Sequence, residues 1–102
     1  DKEGLEACIE GKKEGVPIYV ETCPQYLEFT CDVYKREDGR NFVCSPPIKG
    51  EESRQALWEA IKKNQIDVVA TDHCPFQSYE KDWGIDDFTK MCRCGKYVSI
   101  YA

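Results

Sequence analysis

The chain reads as an α/β fold with parallel strands, a prediction that rests on two helix-then-strand pairs and on the polar residues that end each strand. In the first pair, Leu5, Cys8 and Ile9 recur at helical spacing among Glu and Lys, which predicts a helix over 3–14. Gly15 is placed to cap it and Pro17 blocks its continuation. The β-branched and aromatic run 18–23 then predicts a strand that Pro24 ends. In the second pair, Arg54, Leu57, Ala60 and Ile61 share one face of a helix over 51–64. Glu51 and Glu52 open it and Lys62 and Lys63 close it, as the helix dipole favours. The strand 66–71 follows. Its Val68, Val69 and Ala70 are apolar without alternation, as in a parallel strand buried on both faces.

The linking segments carry weaker signals. Residues 24–29 predict a helical turn, 35–41 a charged loop and 41–44 a short extended stretch. Ser45-Pro46-Pro47 predicts extended backbone, because proline disfavours helix in the residue before it. Residues 76–84 predict a loop and 86–90 a single turn, and there is no internal repeat or low-complexity tract. Two parallel strands cannot close a sheet, so the pattern fits a segment of a (β/α) barrel. In such barrels catalytic residues stand at the C-terminal ends of strands, here Glu21-Thr22-Cys23 and Thr71-Asp72-His73.

Composition narrows the function classes. With 102 residues, 41% hydrophobic and 32% charged, the chain suits one small globular unit. Its net charge of −5 argues against nucleic acid as a partner. No apolar run approaches the roughly 20 residues that span a bilayer, and the Lys- and Glu-rich start is no signal peptide. Seven cysteines are an odd number without a CxxC pair, and four of them (Cys8, Cys23, Cys44, Cys74) lie within or beside element-like segments. They read as reduced, buried thiols of a cytoplasmic protein rather than as a disulfide or zinc-finger framework. The sequence opens on Asp1 and its sole methionine is Met91, so a partial reading of a longer gene is expected.

Asp72 is the main candidate for chemistry. A carboxylate at the mouth of a buried strand can bind a metal ion or take a proton from metal-bound water; the plainer alternative is a turn cap. His73 is the only histidine, and one His cannot build a metal site. Ser45 has a main chain held by the prolines after it and can grip a small polar ligand; a plain Pro-rich turn is the competing reading. Cys23 and Cys74 each precede a proline just past a strand end, but neither has a base suited to nucleophilic catalysis. No phosphate loop and no GxSxG elbow are present.

Five strings in order then point further: Glu21-Thr22-Cys23-Pro24-Gln25-Tyr26-Leu27, Cys44-Ser45-Pro46-Pro47-Ile48-Lys49, Ala56-Leu57-Trp58, Val69-Ala70-Thr71-Asp72-His73-Cys74-Pro75-Phe76 and Asp86-Asp87-Phe88-Thr89-Lys90. Together they resemble the dihydropyrimidinases and bacterial hydantoinases of the metal-dependent amidohydrolases, from the start to about Met91. Dihydroorotases are similar but typically carry His-Ala-Pro-His where this chain has His73-Cys74-Pro75-Phe76. Allantoinases usually read Cys-Pro-His-Tyr in place of Cys23-Pro24-Gln25-Tyr26. The non-enzymatic dihydropyrimidinase-related proteins lack the aspartate at the position of Asp72, which favours an enzyme ancestry over that alternative, a binding or scaffold protein.

The resemblance implies a fragment of a (β/α)8 TIM-like barrel, from about its sixth helix to its eighth strand. The intact family hydrolyses cyclic amides, opening dihydropyrimidine or hydantoin rings, with two zinc ions that share a carbamylated lysine and a hydroxide. Asp72 matches a metal ligand and proton shuttle, and Ser45 a residue whose main chain binds the imide edge of the substrate. His73 matches a position that is not a ligand. The family's His-x-His pair, its lysine and two further histidines have no counterpart in these residues, one of the latter being expected shortly before Asp1. The resemblance therefore implies that this chain alone is inactive and does not hold zinc tightly, and that the intact protein is commonly a homotetramer.

Residues 92–102 depart from the family, which continues after the Met91 position with Pro-Asn-Gly and then a stretch ending near Glu-Asn. Permitted codons for this tail, read one base later, spell Ala-Asp-Val-Glu-Asn-Met-Tyr-Pro-Tyr-Met, which resembles the family's continuation. The chain thus divides into a barrel segment over 1–91 and an out-of-frame or disordered tail over 92–102, which would account for Cys92 and Cys94 without any metal.

Overall fold

The computed structural model describes residues 1–74 and 76–91. The first helix, α1 (Lys2–Lys13), has Leu5 as its buried residue, with Cys8 and Ile9 half-buried beside it. Asp1 caps it by accepting from the Gly4 N–H at 2.9 Å. At its other end Gly15 takes φ +86°, the Gly15 N–H bonds the Lys12 carbonyl and the Val16 N–H reaches back to the Gly11 carbonyl at 2.9 Å. That paired arrangement is a Schellman stop, which satisfies the last carbonyls and turns the chain back along the helix. The turn brings Ile18 against Gly11, where a Cβ would stand 2.6 Å from the Ile18 Cδ1 and would make that terminal methyl shift.

The second long helix, here α3 (Glu51–Lys62), ends the same way. Asn64 at φ +55° replaces glycine, and the Gln65 N–H bonds the Ala60 carbonyl at 2.8 Å. Asparagine tolerates this left-handed position better than most residues. Between the two long helices lies α2 (Pro24–Glu28), with Pro24 in its first turn, where a missing N–H costs nothing. Leu5, Leu27, Leu57 and Ala60 form the buried core among these three helices. Ile9, Val20, Tyr26, Ala56, Ile61 and Ile66 pack around it.

The strands are parallel, as predicted, but short: β1 (Glu21–Thr22) pairs with β2 (Val68–Val69) in the register Glu21↔Val68 and Thr22↔Val69. The predicted spans 18–23 and 66–71 are longer. A strand extends as far as its ladder, and each of these has one neighbour. Asp67 holds the entry to the pair: its carboxylate accepts from the Val20 N–H at 2.7 Å and the Lys12 ammonium at 2.5 Å. Val68 and Val69 are 44% and 51% exposed, as expected of barrel strands taken without the layers that cover them; no described layer covers their outer face.

Three linking segments also differ from expectation. Residues 41–44 are not an extended stretch. Cys31–Lys35 and Gly39–Phe42 are 3₁₀ turns, closed by bonds such as the Asn41 N–H to the Asp38 carbonyl at 2.9 Å. Residues 45 and 46 form a bend with a cis Ser45–Pro46 bond rather than extended backbone. The predicted loop 76–84 contains α4 (Ser78–Asp82), started by the Glu80 carboxylate accepting from the Gln77 N–H at 2.6 Å. Lys81 on α4 is fully buried, and its ammonium donates to the Val43 carbonyl at 2.8 Å. The expected turn near 86–90 is the 3₁₀ turn Phe88–Lys90. Among the described residues no helix is long and apolar enough to cross a membrane. The tail reading concerns 92–102, which lie outside the described residues.

Candidate functional site

A cleft of about 490 Å³ is lined by residues 20–23 along β1, by Leu5 and Cys8 of α1, by Arg54 and Leu57 of α3, and by Asp72 just past β2. β1 delivers Cys23, and α2, which starts on the next residue, carries Tyr26 one turn further on; both line the cleft. β2 continues through Ala70, whose N–H bonds the Thr22 carbonyl at 3.0 Å, and delivers Asp72 to the same rim. Pro46 and Pro47 also line the cleft. The positions that the strand-end argument singled out are therefore close to one another and to the proline loop.

Asp72 is exposed and takes φ +48°, a left-handed conformation that side chains other than glycine adopt infrequently. Among the described residues its carboxylate makes no hydrogen bond to a backbone N–H, so the turn-cap alternative finds no support in the geometry. Ser45 is exposed and does not itself line the cleft, although Pro46 and Pro47 do. His73 is exposed.

The thiols are tuned toward the neutral form. Burial raises the Cys23 thiol above its ordinary value of 9.0, with the Asp72 charge adding to it. Burial likewise raises Cys44. A nucleophilic cysteine is favoured by a shift in the opposite direction. Of the four cysteines expected to be buried, Cys23 is buried and Cys8 and Cys44 are half-buried. Cys74 is exposed, which corrects that expectation: β2 has ended before it, and no described element packs over it. Tyr26 is also raised, chiefly by burial and then by Cys44.

Among the described residues no three His, Cys, Asp or Glu side chains come together as a set able to hold a metal ion. A catalytic zinc takes three protein ligands. The residues described here do not make that site on their own; at most Asp72 is one member of a larger set.

Sequence reasoning missed the hydrogen bonds that order the proline loop. The Tyr26 hydroxyl donates to the Pro46 carbonyl at 2.8 Å, and the Ile48 N–H donates to the Tyr34 hydroxyl at 2.8 Å. It also missed the Trp58 indole N–H donating to the Leu27 carbonyl at 2.9 Å, which ties α3 to the end of α2. The available signal for the first was the spacing of Tyr26 one helical turn after Cys23.

No family model matches the sequence. The D-hydantoinase of Streptomyces coelicolor is 39% identical over 92 residues, which are 87% of this chain and 20% of the relative. A D-phenylhydantoinase of Escherichia coli is 46% identical over 65 residues, 64% of this chain and 14% of the relative. Among solved structures, a D-hydantoinase superposes with a TM-score of 0.89 at 30% identity over 95% of this chain and 22% of that one. The dihydropyrimidinase of Brevibacillus agri gives 0.86 at 35% identity over 92% and 21%. The chain thus spans about a fifth of the length of the relatives it matches. Over that fifth, this chain belongs to the hydantoinase and dihydropyrimidinase family.

Proposed function

We propose that these residues are part of a cyclic amide hydrolase that opens hydantoin or dihydropyrimidine rings, and that they correspond to the stretch of its (β/α)8 barrel from about the sixth helix to the eighth strand. The observation that carries the reading is that Asp72, just past the C-terminal end of one of two parallel strands, lines the same cleft as Pro46 and Pro47. In it Asp72 serves as a metal ligand and as the group that holds and moves a proton, while the main chain of Ser45 binds the imide edge of the ring. Zinc enters as a cofactor of the whole protein, held mainly by ligands outside these residues. The substrate is a small cyclic amide, with neither nucleic acid nor membrane as a partner, in a cytoplasmic homotetramer. The chain by itself is inactive.

A graft tests this. Residues 1–91 replace the stretch they match in the Streptomyces coelicolor D-hydantoinase, and hydantoin ring opening is followed with zinc present. The reading expects an active graft that Asp72→Ala silences. An inactive graft that is folded and zinc-loaded would sink it and would favour a non-catalytic, scaffold-type relative.

A further inference from the structure

The loop that carries Ser45 is pinned on both sides while Ser45 itself is left open. Before it, the Cys44 thiol donates to the Pro46 carbonyl at 3.3 Å. After it, that same carbonyl accepts from the Tyr26 hydroxyl at 2.8 Å, and the Ile48 N–H is held by the Tyr34 hydroxyl at 2.8 Å. The Cys44 thiol and the Tyr26 hydroxyl thus meet at one carbonyl, and Tyr34 holds the backbone two residues further on. Among the described residues neither the N–H nor the C=O of Ser45 has a hydrogen-bond partner. Its main chain is thus aligned by its neighbours and free to bond something else.

Each phenol comes from a different element. Tyr26 stands on α2, directly after β1, and Tyr34 in the 3₁₀ turn Cys31–Lys35. Both are half-buried, so their rings are held by packing and their hydroxyl positions are set by the fold rather than by solvent. Tyrosine suits the task because one hydroxyl can either donate, as Tyr26 does, or accept, as Tyr34 does.

We infer that Tyr26 and Tyr34 are positioning residues that clamp the 46–48 backbone at two points and so present the Ser45 main chain to the ring's imide edge. The inference rests on the proposed function for the identity of the ligand, but the clamp itself does not. Loss of one such bond loosens the presented groups equally for ground state and transition state. It therefore raises KM and leaves kcat nearly unchanged.

Two measurements decide it. In the full 102-residue chain, Tyr34→Phe should speed amide exchange at Ile48 by about tenfold, the size of one hydrogen bond, while exchange within Glu51–Lys62 stays unchanged. In the graft, Tyr26→Phe should raise KM for hydantoin by about three- to tenfold, change kcat by less than about twofold and leave the unfolding temperature unmoved. An unchanged Ile48 amide, or a Tyr26→Phe graft that loses kcat or folded protein with KM intact, would overturn the clamp. If the unsubstituted graft is inactive, the functional reading falls, and the Ile48 exchange still decides the clamp.

Discussion

Asp72 allows fold and function to be separated by a single substitution. Its φ of +48° costs an ordinary side chain about 1–2 kcal/mol, somewhat less for aspartate. Glycine removes that strain but loses about 0.5–1 kcal/mol through the greater freedom of the unfolded chain. Asp72→Gly should therefore leave stability unchanged or raise it by up to about 1 kcal/mol. Asp72→Ala keeps the strained backbone without aspartate's tolerance of it and should cost about 1 kcal/mol. Urea unfolding of the 102-residue chain, followed by circular dichroism with sucrose present to secure a folded baseline, measures both. In the graft both substitutions should abolish ring opening. Stability gained while activity vanishes would mean the carboxylate is retained for chemistry. A loss of several kcal/mol in Asp72→Gly would instead make Asp72 a structural cap. Ring opening by the Asp72→Gly graft within tenfold of the parent would remove it from the mechanism.

Other outcomes follow from the same structure. Leu57, 6% exposed at the centre of the helical core, should cost about 2–5 kcal/mol when cut to alanine, enough to unfold the isolated chain at 25 °C by circular dichroism. Stability should fall on both sides of neutrality. The Glu51 carboxylate, lowered to about 2 first by Arg54 and then by Gln55, and Asp67, lowered first by Lys12, stabilise fully above their unfolded values of 4.5 and 3.8; that contribution is lost as pH falls through their folded values. Cys23, Cys44, Tyr26 and Tyr34 are raised by burial above 9.0 and 10.0, so their neutral forms stabilise below those values and the contribution is lost as pH climbs past them. Urea midpoints across pH 2–11 check both limbs, and a flat profile would contradict the burial argument. The purified chain should not open hydantoin or dihydrouracil with added zinc; ring opening that Asp72→Ala abolishes would overturn that expectation. Sequencing the gene should place Ala-Asp-Val-Glu-Asn in the frame one base later after the Met91 codon, and its absence would end the frameshift reading.

Much of this was legible where a signal repeats within a few residues. Leu5 with Ile9, and Leu57 with Ala60 and Ile61, mark their helices because a 3.6-residue period places them on one face. Gly15 announced its own stop, whereas Asn64 makes the same stop with a residue that is common in many other contexts. The 3₁₀ turns and α4 escaped because four or five residues are too few to show a period. The position of Asp72 past an apolar strand was legible. That it lines the same cleft as Pro46 and Pro47 was not, nor were the Tyr26 and Tyr34 bonds to the loop, since these join residues 20 and 14 positions apart.

The brevity of the strands follows from the same distinction. A helix satisfies its backbone within itself, so α1 and α3 reach twelve residues each even in a chain that spans a fifth of its relatives. A strand satisfies its backbone only through neighbours, and β1 and β2 have each other alone among the described residues, leaving one open edge apiece. Tyr19 at 87% exposure and Val69 at 51% are apolar surface without a facing layer. The chain measures 45 × 24 × 23 Å with a radius of gyration of 15.0 Å, against about 13 Å for a compact domain of this length. Isolated in dilute solution, it should therefore protect the amides of Glu51–Lys62 far better than those of 18–23 and 68–72, and should associate through its strand edges as concentration rises. Hydrogen exchange read residue by residue at several concentrations tests this. Strong, concentration-independent protection across both strands would mean that two strands and three helices suffice for a self-contained fold, and that the exposed valines need no partner.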